Sequence, residues 1–150
     1  MKRVYILRIV LIFLIICWMT LVFSFSNANG TSSSRTSYRI AKLFSQNEEV
    51  VRQVEHIIRK IAHLLEYALG GFLFYALLLT YKIKPKYQII IASFLGIFYS
   101  ITDELHQLFV DGRSGKLIDV FIDSIGVIFG ICVLLLIIKI CKKESIYARF

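Results

Sequence analysis

Proline is nearly absent: Pro85 is the only one in 150 residues. Proline removes a backbone donor and breaks helices, so long uninterrupted helices are open to the chain on both sides of that position. Cysteine is scarce too. Cys17 and Cys132 lie inside apolar stretches and Cys141 just beyond one, which excludes a disulfide framework and a metal-type pair spacing; they read as small core residues. There is no internal repeat, no low-complexity tract and no glycine-rich phosphate loop, and no serine or cysteine stands at nucleophile spacing from a histidine. Acidic residues number ten against eighteen Lys and Arg, and the first apolar stretch holds no carboxylate at all.

What the chain has instead is hydrophobic length. Hydrophobic residues make up 57% of it, with a mean hydropathy of +0.71. Four stretches, Val4–Phe25, Ile61–Tyr81, Tyr87–Val110 and Leu117–Ile140, reach the roughly 20 helical residues that cross a hydrocarbon core of about 30 Å. The expected fold is all-α, an integral membrane bundle of four transmembrane helices in which residues 1–150 make one domain. The first stretch has a basic start, and Ser26-Asn27-Ala28 loosely fits a signal-cleavage site. Its apolar part nevertheless exceeds the usual 7–15 residues or so of a signal peptide, so it reads as a retained first helix, with Arg8 snorkelling to the headgroups.

The net charge of +8 does not indicate nucleic acid, because the cations flank the spans and form no clustered basic face. Lys2, Arg3, Arg8, Lys82, Lys84, Lys86, Lys139, Lys142, Lys143 and Arg149 border the termini and the second loop. The first and third loops carry Arg35, Arg39, Lys42, Arg52, Arg59, Lys60, Arg113 and Lys116. That balance, ten against eight, favours a multi-pass membrane protein with both termini cytoplasmic. Within the first loop, Ser26–Ser37 reads as a flexible link. From Asn47, Val50, Val54, Ile57, Ile58 and Ile61 recur at helical spacing. They predict an amphipathic helix between helices one and two, lying on the outer membrane surface or packed on the bundle top.

Ionisable residues inside the spans are the chemical signal, since each costs about 2.5–3.5 kcal/mol at the centre of a bilayer helix. Lys60, His63, Tyr67 and Gly70 share one helical face with Glu66 at its edge. Tyr99, Asp103 and His106 make a second stripe, with Gln107 beside it and Glu104 pointing off it. Lys116, Asp119, Asp123, Gly126 and Gly130 make a third, whose glycines permit close helix approach. In alternating helices these three segments fall at one membrane level, the outer one in this orientation, and the turn carrying Arg113 hangs over them. One polar site follows, although such residues can also serve only as a network that orients helices. Glu104 and Asp111 read as solvated.

These residues carry a resemblance. Phe25-Ser26, Arg59-Lys60-x-x-His63-x-x-Glu66-Tyr67 with Gly70, Tyr99-x-x-x-Asp103-Glu104-x-His106-Gln107, Gly112-Arg113, Asp119-x-x-x-Asp123 and Gly126-x-x-x-Gly130 together resemble the VanZ-like family of small bacterial membrane proteins. The chain departs from it at Phe25-Ser26-Asn27, where the family's serine-rich motif is longer. The family is named for a protein associated with teicoplanin resistance, so the resemblance implies contact with cell-envelope chemistry at the outer face of the plasma membrane.

Two functions fit. In a binding protein, Lys60, Arg113, Gln107 and Tyr67 would hold the polar part of a membrane lipid or lipid-linked envelope component, arginine taking phosphate or carboxylate through its planar fork. In an intramembrane enzyme, His63, Glu66, Asp103, His106, Asp119 and Asp123 would carry acid–base chemistry. A metal variant would use His63-x-x-Glu66 and Asp103-x-x-His106 as di-metal bundles use Glu-x-x-His, with Asp119 and Asp123 as the carboxylates of a third helix, but helix one supplies no carboxylate. Proton-coupled transport ranks behind both, for want of half-helices and repeats. Cofactor, metal and oligomeric state are left open by the residues alone.

Overall fold

In lipid, a backbone without helix breakers satisfies its own hydrogen bonds as α-helix. A computed structural model describes residues 2–27, 37–111, 113 and 115–147, with side chains to 142. It consists of α1 (Lys2–Asn27), a short α2 (37–41), α3 (Glu48–Leu79), α4 (Pro85–Gln107) and α5 (Leu117–Tyr147), with no strand among the described residues. The four long helices are each long and apolar enough to cross a membrane. The serine-rich link around Arg35, the possible cleavage position at Ala28, Gly112 and the side chains of Lys143 and Arg149 lie outside the described residues.

Local chemistry sets the helix starts. Asn47 caps α3, its side-chain oxygen accepting from the Glu49 and Val50 amides at 2.9 and 3.5 Å, which satisfies donors that have no partner within the helix. Pro85 opens α4, where its missing N–H is no loss. The amphipathic segment from Asn47 is continuous with the second span. At 32 residues α3 is about 48 Å long, well beyond the core thickness. Val51 is buried, whereas Val50, Ile57 and Ile61 are left uncovered by protein.

The bundle has two distinct ends. At the end holding the N-terminus, Arg8 donates to the Thr80 hydroxyl at 3.0 Å and the Thr80 carbonyl at 2.6 Å, and lies 4.0 Å from the centre of the Tyr81 ring. It therefore finishes on the last turn of α3. Gln88 of α4 donates to the Leu78 and Tyr81 carbonyls at the same end. At the opposite end Arg113 donates to the Phe25 carbonyl, bringing the α4–α5 turn over the end of α1.

Between these ends, α3 and α5 run side by side in the same direction and make the most extensive pairing. Gly126 faces the Leu64 carbonyl and Gly130 the Ala68 carbonyl, with no room for a Cβ. The expected role of these glycines is borne out: they let two backbones meet. Trp18 ties α1 to the pair, donating from its indole nitrogen to the Glu66 carbonyl at 2.9 Å. It meets Tyr67 and Phe74 edge-on, with ring centres 5.9 and 5.8 Å away, an arrangement aromatic rings favour. Tyr99 donates to the Met19 carbonyl at 2.7 Å. Large apolar side chains such as Phe13, Phe94, Phe121 and Leu136 face outward, as lipid-facing helices require. The cysteines correct the composition-based reading: Cys17 is half-buried, but Cys132 and Cys141 are exposed, because an apolar outer surface accepts a thiol as readily as a core does.

Candidate functional site

The polar residues of three helices gather at the Arg113 end. Asp123 of α5 is the deepest, its side chain wholly inaccessible. Ser100 of α4 donates to its Oδ2 at 3.1 Å, and His63 of α3 brings Nδ1 to 3.5 Å from Oδ1. Distance and alignment at that second contact fall short of a hydrogen bond, so both atoms are buried without one. Beside them Gln107 donates to Asp103 Oδ2 at 3.1 Å and to Glu104 Oε1 at 3.3 Å, and the Lys116 amide donates to Glu104 Oε2 at 2.9 Å. Lys60 stands 4.0 Å from Asp119 nearer the surface.

The expected convergence of His63, Asp119 and Asp123 with the α4 acids is therefore present, with differences on α4. Glu104 is not solvated: it is 5% exposed and bonded to Gln107 and Lys116. The packed face of α4 runs through Gln88, Ala92, Gly96, Ser100, Asp103, Glu104 and Gln107. The expected stripe of Tyr99, Asp103 and His106 is thus rotated by about one position. A signal was available in the small residues Ala92, Gly96 and Ser100, spaced by four, since small side chains mark where a helix meets its neighbour. Ser100 and Glu104 both lie on that line. His106 turns toward α1 and stacks on Phe23, ring centres 4.7 Å apart, with its Nε2 buried and unbonded. Tyr67 is fully buried, and its hydroxyl makes no well-formed hydrogen bond. Asp111 is exposed, as expected.

Two cavities adjoin this cluster. One of about 120 Å³ is lined chiefly by polar and basic groups: His56, Arg59, Lys60, His63, Gln107, Arg113, Lys116 and Asp119. The other, about 620 Å³, is an amphipathic cleft beside α1. Trp18, Leu21, Val22, Phe25 and Leu69 give it an apolar wall, while Glu66, Asp103 and Arg113 give it a polar one. Arg59, His63, Gln107 and Arg113 line both. Partial burial lowers the Arg113 guanidinium from its ordinary value, yet arginine stays charged at any pH a protein meets.

A family model described as VanZ/LLP1 matches residues 11–139. The chain belongs to the VanZ/LLP1 family. The match covers α3 and α4, most of α1 and α5, and every residue of the cluster, from Trp18 to Asp123. No curated protein and no solved structure matches the chain. As a VanZ/LLP1 member it places a strongly polar centre within a shell of lipid-facing helices, against a cleft that offers both apolar and charged walls.

Proposed function

We propose that this VanZ/LLP1 protein binds an anionic amphiphile of the cell envelope at the outer face of the bacterial plasma membrane. Lys60 and Arg113 would receive the charged head, Gln107 would assist, and the hydrocarbon part would lie in the cleft beside α1. Tyr67, expected to join them, is fully buried and lines neither cavity. The observation that carries this reading is the pair of adjoining cavities, one basic and one amphipathic, that share Arg59, His63, Gln107 and Arg113. Binding sites of this sort combine a largely apolar wall with a few placed polar groups. The exposed Val50, Ile57 and Ile61 on the early turns of α3 fit an amphipathic segment in the outer interface, where such a ligand would enter. Through this ligand the protein would influence susceptibility to glycopeptides of the teicoplanin type.

Dodecyl phosphate and dodecanol share a chain and differ in head charge. Added to protein held in a maltoside detergent, dodecyl phosphate is expected to raise the melting temperature with concentration, as any ligand of the folded state does. The Lys60→Gln/Arg113→Gln double variant should lose most of that rise. Equal stabilisation by dodecanol would overturn the headgroup site.

A second reading, an intramembrane enzyme acting on a lipophilic substrate, draws support from one contact. His63 lies in the wall common to both cavities and faces the inaccessible Asp123 carboxylate at 3.5 Å, the placement of a general acid or base held by a carboxylate.

A further inference from the structure

Most polar groups of the cluster are closed by a partner within the protein: Asp103 by Gln107 and Asp119 by Lys60. One group of three is partnered in part, with two facing atoms, His63 Nδ1 and Asp123 Oδ1, making no hydrogen bond. His63, Glu104 and Asp123, from three different helices, each offer a ligand atom, and these atoms all lie within 4.8 Å of one another. Asp123 is inaccessible, its Oδ1 accepts no hydrogen bond, and His63 Nδ1 beside it is buried and equally unbonded. A buried carboxylate oxygen and a buried imidazole nitrogen 3.5 Å apart without a hydrogen bond are unfavourable unless the imidazole is protonated or a cation sits between them.

We infer that His63, Glu104 and Asp123 form the protein part of a binding site for one divalent transition-metal ion, with zinc the best fit. The His63–Asp123 separation of 3.5 Å matches the roughly 3.4 Å between two ligands of a tetrahedral ion bound at about 2.1 Å. Glu104 would swing in by up to about 1.4 Å, from within 4.8 Å to the tetrahedral spacing, to complete the triangle. Its carboxylate is held for this by Gln107 and the Lys116 amide, and Asp123 is held by Ser100; hydrogen bonds of this kind orient ligands in metal centres. One imidazole and two carboxylates suit zinc or manganese better than calcium, which takes six to eight oxygens. A dication would also offset two carboxylate charges on residues that are only 5% and 0% exposed. Three protein ligands leave at least one position open, and His63 lines both cavities, so a bound ion would adjoin the proposed amphiphile. The set keeps His63 and Asp123 of the spacing-based reading and has Glu104 in place of Glu66, Asp103, His106 and Asp119.

The site rests on geometry and is separable from the headgroup reading, which dodecyl phosphate tests without added metal. Full-length protein purified in detergent, stripped with a chelator and dialysed against zinc chloride is expected to retain one equivalent of zinc by elemental analysis. Cobalt in its place should give visible absorption bands of low-symmetry coordination. Glu104→Gln and Asp123→Asn are each expected to weaken retention at least tenfold, and Glu49→Gln, exposed on the first turn of α3 and lining neither cavity, to leave it unchanged. Melting curves of each variant identify any that fails to fold, and Glu104→Gln keeps the test open if Asp123→Asn does. Manganese in place of zinc would support the site. Retention by Glu104→Gln equal to that of the unaltered protein, or binding of calcium or magnesium alone, would overturn it.

Discussion

Asp123 and Ser100 show how much one buried contact decides. Ser100 is the only hydroxyl that donates to the inaccessible Asp123 carboxylate among the described residues, and it was invisible in a stripe reading centred on Tyr99. Ser100→Ala would leave a buried carboxylate oxygen unpaired and is expected to cost about 1–3 kcal/mol of stability, read from melting in detergent. Asp123→Asn keeps the shape and most hydrogen-bonding capacity but carries neither a charge nor a proton to transfer. It is expected to leave folded protein abundant, measured by membrane immunoblot, while abolishing any gain in teicoplanin tolerance conferred by expression in a susceptible bacterium. Full tolerance in that variant would remove Asp123 from the working site.

At the scale of the helix, the α3–α5 pairing determines whether the site exists at all. His63 and Asp123 face each other because Gly126 and Gly130 let α5 lie against the α3 backbone at Leu64 and Ala68. Gly130→Val would press a branched side chain into the Ala68 carbonyl. It is expected to lower stability by about 1–3 kcal/mol, and by separating the helices to weaken zinc retention as well. Phe129→Leu, next to it on the exposed surface, should change neither. The same measurements on both variants separate a packing effect from a general effect of altering α5. On α4 the face that packs was legible in principle, since Ala92, Gly96 and Ser100 recur every fourth residue. The polar pattern alone suggested a neighbouring line, because Asp103 and Glu104 are adjacent and both sit near that face.

For the whole molecule, the arrangement of ends gives a topological prediction. The α2–α3 connection and the Arg113 turn share one end, and the α3–α4 turn lies at the other with Arg8. With both termini cytoplasmic, a cysteine at Gln46 in a background lacking Cys17, Cys132 and Cys141 should react with an impermeant thiol reagent in intact cells. One at Lys84 should react only after the membrane is opened. The reverse pattern would put the polar site on the inner face and remove the proposed envelope ligand.

Fold class was readable from residues alone: four apolar runs, one proline and flanking cations leave helices across a membrane as the way to pair the backbone in lipid. Alternation of those helices also brought His63, the Asp103 region and Asp119 to one level, because depth follows from counting residues at a fixed rise. Rotation about each helix axis is another matter. Nothing local fixes it when apolar residues suit both the core and the lipid, so Cys132 and Cys141, expected inside, lie outside, Glu104 expected in water is buried, and His106 turns to Phe23. Only the packed structure, through glycines meeting carbonyls and Trp18 bridging to Glu66, chose which faces meet, and with them the trio of His63, Glu104 and Asp123.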